Sequence, residues 1–143
     1  MYNEPQRRTA TQTLKDHNLR HTNNREELLD LFIQTDHALA HGGIETRLGP
    51  DYDRVTIYRT LRTFVDKGII HKVLDDTGDP KYALCRHSCA KDDHHHDHVH
   101  FKCQQCGQTT CLDHVQIPAV SLPDGYSRAE TNLLIQGTCP DCV

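Results

Sequence analysis

From Thr22 onward the apolar positions Leu28, Leu29, Phe32 and Ile33 recur with the period of a helix. Asn23 and Asn24 stand before them as candidate N-caps, with Glu26 and Glu27 where acidic side chains favour a first turn. Ile44 and Leu48 follow one helical turn apart, and Gly49-Pro50 ends that short segment. Asp53 opens a third run that reaches Lys67. Along it Ile57, Leu61 and Phe64 share one face, Arg59, Arg62 and Thr63 the other, and Gly68 suits the position just past the end. The pattern then changes. Ile69 to Val73 and Lys81 to Leu84 read as short strands on either side of Asp75-Asp76-Thr77-Gly78-Asp79-Pro80. Three helices followed by a β-hairpin predict a winged helix-turn-helix. A weaker helical pattern, Ala10 and Leu14, precedes it.

Residues 85–97 are polar and without period, which suits a hinge. Beyond them Val99 and Phe101 alternate with polar residues as in a strand, and Asn132 to Gln136 form a second such segment. Pro118 and Pro123 interrupt any helix between them, so Ile117 to Tyr126 reads as a compact loop. The expected fold class is therefore α+β: a winged-helix unit over residues 1–84, a hinge over 85–97, and a small α/β unit over 98–143.

Composition changes this picture in one respect. With 143 residues, 36% of them hydrophobic and no Trp, the core is small and leans on metal or oligomerisation. The donors for a metal are abundant. All seven Cys fall between Cys85 and Cys142, and seven of the twelve His between His87 and His114. No apolar stretch approaches the roughly 18 residues of a membrane span, and the first residues lack the apolar core of a signal peptide, so a cytoplasmic protein is expected. There an odd Cys count favours metal over disulfides.

Cys103-Gln-Gln-Cys106-Gly107 and Cys139-Pro-Asp-Cys142 are two C-x-x-C knuckles that can place four thiolates around one Zn²⁺. A pair of reducible dithiols or an iron–sulfur cluster are the competing readings. A redox C-x-x-C normally stands alone at a helix start in a βαβ unit, which this region lacks. A second donor set lies around Asp92-Asp93-His94-His95-His96-Asp97-His98-Val99-His100. Strand alternation puts His98 and His100 on one face, and Cys85 and His71 can complete a tetrahedral N/S site between the two halves. His94 and His95 read as solvated loop.

The net charge of −4 offers no global attraction to nucleic acid, so any contact must come from a local patch. The candidates are Thr56, Tyr58, Arg59 and Arg62 on the third helical run, with Arg20 just before the first and Arg25 at its start. A charge run on a helix is ordinarily a solvated face; its place after two short helices is what raises it.

Leu19-Arg20-His21-Thr22-Asn23-Asn24-Arg25, Val55 to Leu61, Gly68-Ile69-Ile70, His98-x-His100-x-x-Cys103-x-x-Cys106-Gly107 and Gly137-x-Cys139-x-x-Cys142 together resemble, in order, the ferric uptake regulator (Fur) superfamily. The resemblance implies a homodimeric, metal-dependent repressor that binds a double-stranded operator with an inverted repeat. Its C-terminal half would dimerise and carry a four-cysteine zinc. Gly68-x-x-His71-Lys72-Val73 and Tyr82-x-x-Cys85 look most like the zinc uptake regulator (Zur) branch, in which the matching His or Asp and Cys help to hold the sensing zinc. A thiolate in a four-coordinate site also favours Zn²⁺ over Fe²⁺ or Mn²⁺. The chain departs from the pattern in three places. Cys111 stands where many relatives carry an acidic ligand, Pro118 where some carry Glu, and residues 86–97 are long for the hinge. These departures make His96 and Cys111 the alternates in the regulatory site.

The expected function is zinc-dependent repression of metal-uptake genes. An iron- or peroxide-responsive regulator is the alternative within the superfamily, and a zinc storage or delivery protein the alternative from another class. An enzyme is not expected: a zinc hydrolase or deaminase needs a general base beside an open metal position, and no His-x-Glu occurs.

Overall fold

The computed structural model describes residues 9–84, 99–112, 115–129 and 131–143. The expected hinge, and with it Cys85, His96 and His98, lies outside the described residues. The first part runs α1 (Ala10–Asp16), α2 (Asn23–Gln34), β1 (Leu39–Ala40), α3 (His41–Leu48), α4 (Arg54–Asp66), β2 (Ile70–Val73) and β3 (Lys81–Leu84). Helix α2 is capped one residue earlier than expected, by Thr22, whose Oγ1 accepts from the Arg25 N–H at 3.2 Å. Asp53 caps α4 through the Val55 N–H at 2.8 Å. At the far end Gly68 takes φ +74°, letting its N–H reach the Val65 carbonyl and the Ile69 N–H reach that of Phe64.

The helices close on Leu14, Leu28, Leu29, Phe32, Ile44, Ile57, Leu61 and Phe64, none more than 1% exposed. Strands β2 and β3 form the wing, antiparallel, with His71 opposite Ala83. The two-residue β1, too short to show a period, pairs with β3 on its other edge.

The second part is a sheet of β4 (Val99–Cys103), β5 (Thr109–Leu112) and β6 (Leu133–Gly137) in the order β5-β4-β6. The β4–β5 pair is antiparallel and the β4–β6 pair parallel. Strand β5 was not legible beforehand, because Thr109-Thr110-Cys111-Leu112 does not alternate. Between Val115 and Ser127 the chain forms neither helix nor strand, as the two prolines predict, and the Arg128 guanidinium donates to the Val120 carbonyl across this loop. No described helix is long and apolar enough to cross a membrane.

Strand alternation on β2 and β3 connects the two parts. Ile70 and Tyr82 enter the helical core, whereas Val73 and Ala83 turn the other way and meet Ala38 in a second small cluster against which Cys111 packs. Backbone crosses here too: the Ala38 N–H donates to the Thr109 carbonyl at 2.7 Å. Just past β2, the Asp75 side chain is fully buried. It takes the Lys81 ammonium at 2.8 Å, the Thr77 N–H at 3.0 Å, the Thr77 hydroxyl, and the Thr109 hydroxyl of β5 at 3.2 Å. Asp76 pairs with Lys102 of β4 alongside.

Burial alone would push the Asp75 carboxyl up, but hydrogen bonds from Lys81 and Thr77 and the Lys81 charge hold it well below the usual carboxylate range. A carboxylate lowered on folding contributes stability that is complete above its unfolded value, about 3.9, and disappears as pH falls toward the folded one. The stability deficit of Asp75→Asn against the parent, measured by urea unfolding, is therefore expected to stay level from pH 7 to 5 and to narrow below about pH 4. A deficit that already shrinks between pH 7 and 5 contradicts the assignment.

Candidate metal centres and nucleic-acid interface

Parallel pairing of β4 with β6 brings both strands to an end at the same edge, with Cys103 opposite Gly137. Each strand then turns into its knuckle. After β4 the turn closes through Gly107, at φ +76°, whose N–H reaches the Cys103 carbonyl at 2.9 Å. After β6 the Cys142 N–H reaches the Cys139 carbonyl at 3.0 Å. The four sulfurs of Cys103, Cys106, Cys139 and Cys142 consequently lie within 4.8 Å of one another, with Cys106 and Cys139 at 3.9 Å. A Zn–S bond of about 2.3 Å in a tetrahedron sets sulfur–sulfur edges of roughly 3.8 Å, so the cluster fits such an ion. Neither these four nor Cys111 is in a disulfide.

The backbone prepares one of them for ligation. N–H groups of Cys106 and Cys139 point at the Cys103 sulfur from 3.5 and 3.4 Å and draw its thiol down to about 6. Cys142 shares the same space with Cys139 and is pushed up to about 12, since four thiolates cannot crowd together without a cation.

A second group lies between the two sheets. His71 on β2 and His100 on β4 are 4% and 2% exposed, their rings stacked with centroids 5.9 Å apart. His71 Nε2 is 2.9 Å from Cys111 Sγ, and Cys111 sits directly opposite His100 in the β4–β5 register. The donor atoms of all three fall within 4.8 Å of one another. Two imidazoles and a thiol provide three corners of a tetrahedral N₂S set. The structure thus brings together His71, His100 and Cys111, the last an alternate in the sequence reading. Its cross-strand position opposite His100 is the signal that promotes it, and that signal exists only once β5 is known.

The proposed DNA-facing residues share the exposed side of α4. Arg59, Arg62 and Tyr58, the last 55% exposed, lie away from buried Ile57, Leu61 and Phe64. Thr56 Oγ1 is 3.3 Å from the capping carboxylate of Asp53. Arg54 at the helix start is held by Glu45 of α3 at 2.8 Å, and His41 meets the same carboxylate oxygen at 3.1 Å. Arg25 Nη1 donates to the carbonyl of exposed Arg20 at 2.7 Å, bracing the entry to α2.

Residues 16–123 match the profile of the Ferric uptake regulator family. A ferric uptake regulation protein of Staphylococcus aureus is 33% identical over 138 residues, covering 93% of this chain and 95% of that one. The chain belongs to the ferric uptake regulator family. Its fold is shared with a zinc uptake regulator complexed with zinc and DNA, at a TM-score of 0.64 and 22% identity over 92% of this chain and 89% of that chain. The Vibrio cholerae ferric uptake regulator matches at 0.58 and 21% identity, over 90% of this chain and 98% of that one. Family members are DNA-binding, dimeric regulators rather than enzymes, and this chain is a metal-binding transcription regulator of metal homeostasis.

Replacing Cys103 with Ser removes the sulfur that both knuckles address. Purified protein is expected to lose one equivalent of tightly held metal by elemental analysis, together with protease resistance of β4 to β6. Unchanged metal content in that variant would refute a four-thiolate centre.

Proposed function

We propose that this chain is a zinc-responsive repressor, most like the zinc uptake regulators, acting as a homodimer on an operator with an inverted repeat. The observation that carries the reading is the half-buried thiol of Cys111 beside the buried imidazoles of His71 and His100, because a thiolate among imidazoles selects Zn²⁺ over the harder Fe²⁺ and Mn²⁺. His98 and Cys85 are the further ligands proposed for this site, with His96 the remaining alternate. Cys103, Cys106, Cys139 and Cys142 are proposed to hold a separate structural zinc. The proposed division is a DNA-binding unit over 1–84, a hinge over 85–97 and a dimerisation and metal unit over 98–143. Val120, Leu122, Tyr126 and Ile135, between 42% and 71% exposed, supply apolar surface in the last of these for a second copy to cover.

The chemistry asked of the metal is a cross-link. What the residues do is place its two ends: His71 belongs to the wing, His100 and Cys111 to the other sheet, so ligation selects one separation of the paired α4 helices. Iron response is the second reading, favoured by the ferric uptake regulation protein at 33% identity. Titrating operator binding against buffered free Zn²⁺, Fe²⁺ and Mn²⁺ separates the two. Zn²⁺ is expected to act at the lowest free concentration, and Cys111→Ser to weaken the zinc response while retaining the structural metal. An equal or stronger response to Fe²⁺ in the parent selects the second reading.

On the DNA side, Arg59→Ala is expected to cost about 1–3 kcal/mol of operator binding, confined to one base position if the guanidinium reads a guanine edge. Loss spread evenly over sequences, with a shallower salt dependence, would mean a phosphate contact instead. Binding equal to the parent at every salt concentration removes α4 as the reader.

A further inference from the structure

Among the contacts between the wing and the metal-bearing sheet are the His71–Cys111 pair and the carboxylate of Asp75, whose side chain is fully buried beneath the Thr109 hydroxyl. A buried carboxylate needs its lone pairs filled, and here the filling comes from both sides of the junction: Lys81 and Thr77 from the wing, Thr109 from β5. Thr109 is itself completely buried and joins the network three ways. Its hydroxyl donates to Asp75 at 3.2 Å and accepts from Lys81 at 3.4 Å, while its carbonyl accepts from the Ala38 N–H at 2.7 Å. Such a network is satisfied in one relative placement of its two halves, which is how buried polar groups fix register more than they add stability.

That placement governs the second metal centre. Burial alternates along the wing from His71 through Val73 to Asp75, so His71 and Asp75 fall on the same side of one segment. Thr109 and Cys111 fall on the same side of the facing strand. We propose that Asp75 and Thr109 are positioning residues for metal sensing: their hydrogen bond holds the wing in register with β5, so that His71 and Cys111 already stand within reach of one ion. This rests on the reading of His71, His100 and Cys111 as the sensing site. Without the hydrogen bond the competent arrangement is one of several, and apparent metal affinity falls by the fraction of time it is visited.

The test uses the full-length protein with its structural metal in place, titrated with Zn²⁺ against a fluorescent chelator and, separately, assayed for operator binding. Asp75→Asn and Thr109→Val are each expected to weaken the second zinc by roughly tenfold. Tight structural zinc and operator affinity at saturating Zn²⁺ should stay close to the parent. Thr109→Ser, which keeps the hydroxyl, should titrate like the parent, and the double variant no worse than either single one. Unchanged zinc affinity in Thr109→Val overturns the proposal, as does loss of operator binding that saturating Zn²⁺ does not restore. Cys111→Ser is measured alongside. If it too leaves the second zinc unchanged, the sensing-site reading has failed and this proposal with it; if it weakens that zinc while Thr109→Val does not, only the proposal fails.

Discussion

A strand has two faces, and Ile70–Val73 uses each for a different core. Ile70 closes the helical bundle behind α4, and the next residue, His71, looks toward the other sheet. Because the side-chain period is two, no single-residue shift is tolerated: it would bury His71 among leucines and turn Ile70 toward the metal donors. The placement of α4 relative to the metal-bearing sheet follows from this constraint. Gly68 ends the helix in the turn that delivers Ile69 and Ile70 inward, and only then does the alternation begin.

The metal groups differ in how they are made. The four cysteines are brought together by local turns at one edge of a sheet, and backbone N–H groups already favour a thiolate at Cys103. The histidine and cysteine group is made at long range, from three strands in two sheets. Local assembly suits an ion that stays; assembly across a junction suits one whose arrival is to be felt elsewhere in the molecule.

This difference also explains what could be read beforehand. The helices announced themselves through period and caps, and the knuckles through spacing, since both signals sit within a few residues of chain. Strand β5 carries no alternation because Thr109 is buried by a hydrogen bond rather than by hydrophobicity, so the position of Cys111 opposite His100 has no local signal. Asp75 looked like one more turn residue in Asp75-Asp76-Thr77-Gly78, and the Asx-type bond to the Thr77 N–H is indeed present. Its partner across the junction, Thr109, lies 34 residues further on and leaves no trace in the local pattern.

The parallel pairing of β4 with β6 bears on how the chain is made. The β4–β5 hairpin contains only near neighbours and can form as soon as it clears the ribosome, whereas β6 lies some twenty residues further along the chain. Cys139 follows Cys106 by 33 residues, so the first knuckle is complete well before the second. Until the second knuckle docks, Cys103 and Cys106 stand as an open dithiol, with the Cys106 N–H but not yet the Cys139 N–H directed at the Cys103 sulfur. Oxidants and thiophilic metals therefore have their best access to these two sulfurs before the second knuckle docks to shut the site.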